Sequence, residues 1–379
     1  MAFKYNCTIC NRAIGYEGLC WKCKAEKERN EALNLTEEQI QERQIYLIEH
    51  LQELGKRDNP ADKYFWDCLS YHGIISEELQ RAAVKEKIFY PAEIYYHAPE
   101  DVRDELINCL MATDDSRKAS RLLCCLAMQG DNKSLDVLYE LKKSPKLWRK
   151  DLYVDSDVYA QQGGWTFDSE GTRQLINYSK CYSLEKKTTG DKAVVVGKIR
   201  NDKCQQCGGK LVDILSLDGT DKRLNFLGIK GKITATCCPN CVTYTDAAFS
   251  RFSLEGVSEA VFPYEGAEEL ISWLKEKGVG DGNTFREEDY DDLASNGLEL
   301  SQEERPVFYG ADDWEATTIG GFAHWIQDCS ITKCPDCGKP MRYLGQLAWE
   351  SIMENGGEGT VYIEICPECK IASMQHQQT

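Results

Sequence analysis

The sequence predicts an α+β protein built from several domains. Its 379 residues suggest two or three domains. Six C-x-x-C pairs lie near the N-terminus and in the second half, and helical periodicity fills the stretch between them. After residue 190, short β-branched segments bounded by glycine predict strands. We therefore expect a cysteine-rich module at 1–30, an α-helical domain at 31–190 and a mainly antiparallel β domain at 191–379.

The composition restricts the classes of function. The chain has 45 basic and 62 acidic residues, a net charge of −17. This charge disfavours nucleic acid and anionic membranes and favours a basic partner. No run approaches the roughly 18 apolar residues of a membrane span, and the N-terminus lacks a secretory pattern. An odd count of 19 cysteines then predicts reduced or metal-bound thiols, so we expect a cytoplasmic protein that is not membrane-bound.

Twelve cysteines form the six C-x-x-C pairs. Two thiolates from one tight turn reach the same ion, and two such turns complete a tetrahedral four-sulfur shell, which suits zinc. Four cysteines leave no open coordination position, so these zinc sites should be structural. We predict three zinc sites with the ligand sets Cys7, Cys10, Cys20 and Cys23; Cys204, Cys207, Cys238 and Cys241; and Cys334, Cys337, Cys366 and Cys369.

An iron site like that of rubredoxin is an alternative. The segments Cys204–Gly208 and Cys334–Gly338 match the C-x-x-C-G half of such a site. The second halves, CPNCV and CPECK, lack the closing glycine that frees a turn amide for a sulfur. Zinc is therefore preferred, and visible absorbance distinguishes the two metals because a ferric four-sulfur site is coloured.

The first 190 residues predict a zinc ribbon followed by helices. Only nine residues separate the first two pairs, so the module needs metal for stability. Thr36 and Gln39 predict a capping box at the start of a helix. Further on, a leucine-rich helix ending at Gly130, a Gly-Asp turn and a second helix resemble a HEAT-like repeat.

The β domain repeats itself in sequence. The segment CQQCGGKLVDIL matches CPDCGKPMRYLG, and GKITATCCPNCVTY matches GTVYIEICPECKIA. We predict two copies of one zinc-pinned β unit, at about 193–262 and 318–379. Two such copies are expected to pack face to face, with a groove between them as the place for binding.

An acidic connection joins the two copies. Between residues 255 and 328 the chain has 19 acidic and four basic residues, net −15. Carboxylates steer a cationic partner and aromatic rings supply contact area. A surface built around Glu287, Glu288, Asp289, Asp291 and Asp292 is one interpretation, and a solvated helix with an acidic loop is the other. The aromatic residues are Phe262, Tyr264, Trp273, Phe285, Tyr290, Phe308, Tyr309, Trp314, Phe322 and Trp325.

The C-terminal motifs carry a family resemblance. The segments Ile319–Phe322, Trp325–Gln327 and Cys334–Gly338, in that order before GEG and Cys366, resemble the YwqG-like family of bacterial proteins without assigned biochemistry. More distantly they are similar to the C-terminal domain of the programmed-cell-death-2 chaperones of ribosomal proteins. The resemblance implies a duplicated β fold, no recognised catalytic centre and a role in clasping another protein. The motif positions are Gly320, Gly321, Trp325, Gln327 and Gln346, and the chain departs from the usual pattern at Ala323 and His324.

These observations predict a non-enzymatic cytoplasmic zinc protein that binds another protein. The partner would be basic, either a toxin neutralised by this chain as its immunity protein or a client held by a chaperone-like clamp. One alternative is an enzyme with a pocket between the β units and acid–base candidates Asp312, Asp313, Glu315 and His324. The other is a nucleic-acid-binding zinc ribbon that uses Lys22, Lys24, Lys27 and Arg29, although nearby glutamates offset their charge.

Overall fold

The computed structural model describes residues 4–56, 59–186, 188–278, 284–313, 315–353 and 357–378. These residues form an α+β structure, with most helices in the first half and antiparallel sheets in the second. Trp314 of the acidic connection lies outside the described residues.

The N-terminal module is a small hairpin followed by a helix. Strand β1 (Tyr5–Asn6) pairs with β2 (Ala13–Ile14). Helix α1 (Trp21–Leu33) begins directly after Cys20 and runs through position 30. One continuous helix therefore joins the module to the helical region, and the boundary expected at residue 30 falls inside it.

Six further helices build the helical region. They are α2 (Glu37–Glu49), α3 (Pro60–His72), α4 (Glu77–Lys85), α5 (Glu100–Ala112), α6 (Ser116–Gln129) and α7 (Asn132–Lys143). The capping box at α2 is confirmed, since the Thr36 hydroxyl accepts from the Gln39 amide and the Gln39 side chain accepts from the Thr36 amide. Gly130 ends α6 with φ 69°, a conformation that favours glycine. Short 3₁₀ turns lie at Leu51–Glu53, Ala92–Tyr95, Leu147–Asp151, Val158–Gly163 and Lys222–Leu227.

The expectation of helix as far as residue 190 is wrong for its last part. That part contains β3 (Trp165–Phe167), β4 (Arg173–Leu175) and β5 (Cys181–Lys186). Strand β5 pairs with strands more than 100 residues further along the chain. Local sequence pattern cannot reveal a pairing of such long range, because partner strands and not local propensity stabilise a short strand.

The remaining strands form two antiparallel sheets. An eight-stranded sheet has the order β10-β9-β15-β14-β13-β12-β5-β11, and a three-stranded sheet has the order β6-β7-β8. The strands are β6 (Val194–Lys203), β7 (Lys210–Asp218), β8 (Lys232–Cys237), β9 (Ala248–Phe252), β10 (Ser258–Val261), β11 (Leu298–Leu300), β12 (Thr318–Gly320), β13 (Arg342–Ala348), β14 (Thr360–Cys366) and β15 (Ile371–Gln377). The other helices are α8 (Pro239–Val242), α9 (Ala267–Glu276), α10 (Glu287–Ala294) and α11 (Trp349–Ile352).

The two expected β units share strands and a core. Strand β9 of the first unit pairs with β15 of the second, with Ser250 opposite Ala372. Leu215 and Ile233 from the small sheet and Leu344 and Ile365 from the large sheet belong to one buried apolar cluster. In the described part of the chain, apolar packing therefore fills the place where a binding groove between the units was expected.

One carboxylate is held by a turn of backbone amides at the sheet edge. Glu299 on β11 accepts hydrogen bonds of 2.7 to 3.3 Å from the amides of Thr188, Thr189, Gly190 and Asp191. These hydrogen bonds lower the pKa of Glu299 to about 2, and the bond from the Thr188 amide makes the largest contribution. The side chain thus fastens the edge strand only while it is ionised.

Glu299→Gln should lower the melting temperature by a few degrees at pH 7. Because the folded-state pKa is depressed, the stabilisation is complete above the unfolded-state pKa of about 4.3 and is lost as the pH falls through about 2. The difference from the wild type should therefore shrink in melting curves between pH 5 and pH 3. Glu303→Gln removes an exposed charge nearby and should change little. A difference that does not vary with pH would contradict this role.

Candidate metal centres and cleft

The structure brings each predicted cysteine set together. In every set the four Sγ atoms lie within 4.8 Å of one another. A zinc–sulfur bond of about 2.3 Å in a tetrahedron places sulfurs about 3.8 Å apart, whereas a disulfide needs about 2.05 Å. All nineteen cysteines are free thiols. Four of the Sγ–Sγ distances are 3.5 Å for Cys10–Cys20, 3.7 Å for Cys204–Cys241, 3.5 Å for Cys207–Cys238 and 3.8 Å for Cys337–Cys366.

These sets can hold zinc or another metal that binds four sulfurs. The central set, which contains Cys204 and Cys241, is buried at all four positions. Each outer set has one exposed member, Cys10 or Cys337. Four sulfurs fill a tetrahedral shell, so the donor sets fit a structural role and provide no position for a substrate.

The turns of the central set fasten the segment that carries α9. Gln206, inside the first turn, donates to the Tyr264 carbonyl at 3.1 Å and accepts from the Tyr264 amide at 2.7 Å. Asn240, inside the second turn, accepts from the amide and hydroxyl of Thr284 at 2.8 and 2.7 Å. Tyr264 leads into α9 and Thr284 leads into α10, so the approach to each of these two helices is fixed to one cysteine turn.

Four of the ten aromatic residues of the acidic connection are packed inside the protein. Tyr264, Tyr290, Phe308 and Tyr309 are all buried. Trp273 on α9 is 51% exposed and lies among Glu268, Glu269 and Glu276. We call these four residues, Glu268, Glu269, Trp273 and Glu276, the α9 surface. On this surface three carboxylates and a half-exposed ring occur together on one helix.

The acidic cluster of α10 is engaged in local contacts. Glu287 pairs with Lys210 at 2.5 Å, and Glu288 pairs with Arg286. Asp289 accepts from the Arg286 amide at 2.8 Å and so caps the helix. These three carboxylates have partners within the chain, which makes α10 a weaker candidate than α9 for steering a cationic partner.

The basic residues of the N-terminal module also have partners within the chain. Each cation proposed for nucleic-acid contact has a partner within the chain, so no free basic patch remains among these four residues. The contacts are Lys22 with the Glu350 carbonyl at 3.2 Å, Lys24 with Glu28 at 3.9 Å, Lys27 with Glu31 at 3.7 Å, and Arg29 with Asp313 at 2.6 Å and Glu315 at 3.2 Å.

The Gly-Gly motif makes a tight turn. Gly320 and Gly321 have φ values of 77° and 70°. A Cβ atom on Gly320 would lie 2.2 Å from the Lys180 carbonyl, and one on Gly321 would lie 2.5 Å from the Val307 carbonyl. A side chain at either position would clash with these carbonyl groups, so the turn requires glycine at both.

The motif glutamines bond backbone groups, as expected. Gln346 is 2% exposed, accepts from the His324 amide at 3.0 Å and donates to the Ala316 carbonyl at 3.0 Å. Gln327, which is exposed, donates to the Gln378 carbonyl at 2.8 Å. Trp325 is half-buried and stacks on Tyr362 with ring centroids 4.4 Å apart.

The motif residues surround a cleft of about 350 Å³ between the helical region and the loops beside β12 and β13. Trp66 of α3 and Met128 of α6 line the helical side. Asp312, Asp313 and His324 line the other side, so three of the four acid–base candidates meet in one cleft. This cleft lies against the helices, whereas the sequence predicted a pocket between the β units. The fourth candidate, Glu315, does not line the cleft and pairs with Arg29.

Sequence reasoning missed two titratable residues of the cleft, Glu93 and Cys329. Glu93 lies in a 3₁₀ turn that precedes β12 by more than 220 residues, and nothing in its local sequence indicates a site. Cys329 was a cysteine outside the C-x-x-C pairs with no assigned role. Only the folded chain brings them together with Asp312 and His324.

The electrostatics of the cleft disfavour Cys329 as a nucleophile. Desolvation lowers the pKa of His324 to about 4, and its Nε2–H donates to the Tyr309 carbonyl at 3.0 Å. Desolvation is the largest cause that raises the pKa of Asp312 to about 7, and the charges of Asp67 and Asp313 contribute less. Desolvation also raises the pKa of Cys329, which keeps the thiol protonated and unreactive. Within the described residues no hydrogen bond joins this thiol to His324.

The chain is similar to an uncharacterized bacterial protein. This relative is the uncharacterized protein YpfL of Salmonella typhimurium, 26% identical over 290 residues. The match covers 75% of this chain and 64% of the relative, so the chain spans less than two thirds of the relative's length. No protein-family model matches the chain, and no solved structure matches it. In the ranges that the structure describes, every helix is too short or too polar to cross a bilayer.

Arg29→Met should destabilise the protein by about 3 kcal/mol, because it leaves two largely buried carboxylates without their cation. The side chains of Asp313 and Glu315 are only 9% and 12% exposed. Urea unfolding measures the change. Lys27→Met breaks an exposed pair on the same helix and should cost less than about 0.5 kcal/mol. Equal effects of the two substitutions would show that the Arg29 pairs do not fix the loop to α1.

Proposed function

We propose that the protein is a non-enzymatic zinc protein of the cytoplasm that captures a basic partner protein through the α9 surface. The observation that carries this proposal is the attachment of the segment that leads into α9 to a turn of the central cysteine set, through the two hydrogen bonds between Gln206 and Tyr264. Metal at this set would hold the acidic helix in place. The nineteen free thiols support a reducing compartment.

Zinc is the metal that we assign to the three sets. It accepts four thiolates in a tetrahedron without a redox requirement, which suits sites that only fasten the chain. Each zinc with four thiolates has a net charge of −2, so the bound metals leave the protein strongly anionic. This charge, together with the acidic connection, supports a basic partner.

Elemental analysis of the purified protein should find three zinc ions per chain and no visible absorbance. Cys241→Ser removes a buried ligand of the central set and should leave two ions. Cys109→Ser, at a half-buried cysteine outside the sets, should retain three. A coloured protein with stoichiometric iron would contradict the zinc assignment, and an unchanged metal content in Cys241→Ser would contradict the ligand set.

The chemistry of the α9 surface supports a cationic partner. Within the described residues, none of its three glutamates forms an ion pair with another side chain of the protein. A lysine or arginine of a partner can pair with these carboxylates and contact the face of the Trp273 ring, which is 51% exposed. Rim charges of this kind act mainly on association rate and on salt dependence.

Capture of the partner should depend on the α9 surface and on salt. The tagged protein is used to purify its partner, which is identified by mass spectrometry and then titrated in pure form. Glu268→Lys combined with Glu269→Lys should weaken binding at least tenfold at low salt. Glu42→Lys combined with Glu49→Lys makes the same change in net charge on exposed positions of α2. Equal losses for both double variants, or binding that salt does not affect, would contradict a specific α9 contact.

The motif resemblance also supports binding of a partner protein. If kinship with the YwqG-like family and with the programmed-cell-death-2 chaperones holds, the partner is either a toxin or a basic ribosomal protein. The identity of the captured protein separates these two roles. A toxin partner should lose its activity when bound, whereas a chaperone client should gain solubility and leave the complex when it assembles elsewhere.

A further inference from the structure

We propose that the cleft between the helical region and the β12–β13 loops binds a small organic cation with an alkylammonium group. The cleft is lined by Glu93, Asp312, His324, Phe322 and Trp325, and its volume of about 350 Å³ lies within the range of small-molecule sites. It contains no cysteine ligand and no residue of the α9 surface, so this site goes beyond the proposed function.

The cleft presents acceptor groups to a ligand. The Nε2–H of His324 is used by the Tyr309 carbonyl, which leaves the lone pair of Nδ1 as an acceptor. The amide groups of Gln346 and Gln327 donate to backbone carbonyls, and Gln162 hydrogen-bonds Glu93. A ligand that supplies hydrogen-bond donors can use these acceptors.

Two carboxyl groups of the cleft lack a cationic partner. Within the described ranges, Glu93 and Asp312 form no ion pair. The nearby cations have other partners, since Lys63 pairs with Asp67 at 3.1 Å and Arg29 pairs with Asp313 at 2.6 Å. Glu93 is surrounded by protein, so that desolvation raises its pKa. A desolvated carboxyl group without a cation is the complement of an ammonium group.

Aromatic rings form rigid walls beside these carboxyl groups. Phe308 and Phe322 stack with centroids 4.6 Å apart, and Tyr96 contacts both edge-on. On the other side, Trp325 stacks on Tyr362. Rings near carboxylates attract alkylammonium groups through their π faces and cover the aliphatic part of the ligand.

The geometry favours an organic cation over a metal ion. Among the described residues, the three cysteine sets are the groups in which at least three His, Cys, Asp or Glu donor atoms lie within 4.8 Å of one another. The cleft's Asp312, Asp313 and His324 do not meet in that way. A metal ion held by three of these side chains therefore does not fit the cleft, whereas an organic cation can pair with a single carboxyl group.

Binding should strengthen as the pH rises through 7. The groups around Asp312 are the carboxylates of Asp67 and Asp313, the ammonium of Lys63, and His324, whose low pKa keeps it neutral. Asp312 has a pKa of about 7, so it gains its charge between pH 6 and pH 8. A cation should therefore bind several-fold more tightly at pH 8 than at pH 6.

Calorimetric titration of the zinc-loaded full chain tests the site, with cadaverine as the probe and the neutral 1,5-pentanediol as its control. Cadaverine should bind, and Asp312→Asn or Glu93→Gln should weaken it at least tenfold. Asp114→Asn removes an exposed carboxylate of the α5–α6 loop and should leave affinity unchanged. No binding of cadaverine, equal binding of pentanediol, or equal affinity in Asp312→Asn would overturn the proposal.

Further measurements separate ligand binding from a structural role. Since folding raises the pKa of Asp312, its ionised form is disfavoured in the folded state, and Asp312→Asn should melt a few degrees higher than the wild type at pH 8. A stabilised variant that no longer binds cadaverine supports the site, whereas a destabilised variant would show that Asp312 serves the fold.

A blocked lysine tripeptide in place of cadaverine shows whether the ammonium belongs to a free amine or to a peptide. If titration with calcium chloride gave heat of binding and Asp312→Asn abolished that heat, the cleft would instead be a metal site.

Discussion

Close packing of four thiols in each cysteine set is the constraint on which the rest of the structure depends. The central set joins the start of β7 to the end of β8, and the C-terminal set joins the start of β13 to the end of β14. Each set therefore closes the open end of a two-stranded ladder. Four ionised thiols at such distances repel one another unless a cation binds them, so metal binding and closure of the ladder are one event.

The cysteine sets also position surfaces that contain no cysteine. The central set fixes the approach to α9 through Gln206 and the approach to α10 through Asn240. The N-terminal set supplies Cys23 to the first turn of α1, and the same helix presents Arg29 to Asp313 beside the cleft. A metal at either set can therefore influence a polar surface elsewhere, through one rigid helix or turn. This arrangement gives the small cysteine-rich units a role in a chain that already has two large apolar cores.

The features that the sequence predicted correctly are those with short-range signals. The C-x-x-C spacing, the Thr36 capping box and the glycine after α6 each depend on a few neighbouring residues. The features that it missed depend on contacts between distant segments. Strand β5 needs β11 and β12 as partners, β9 leaves its own unit to pair with β15, and the cleft joins Glu93 to a loop more than 200 residues away. Three of the four acid–base candidates do line one cleft. The cleft was expected between the two β units, but apolar side chains pack there.

The energetics of the cleft indicate why it is a site and not a packing defect. Asp312 lies near the carboxylates of Asp67 and Asp313, and desolvation adds to their repulsion. The fold supplies cations to those two neighbours but, within the described residues, no ion pair to Asp312. A neutral side chain of the same shape would avoid this unfavourable energy. Groups that lower stability in this way are characteristic of binding sites, because a ligand provides the compensating charge only when it is present.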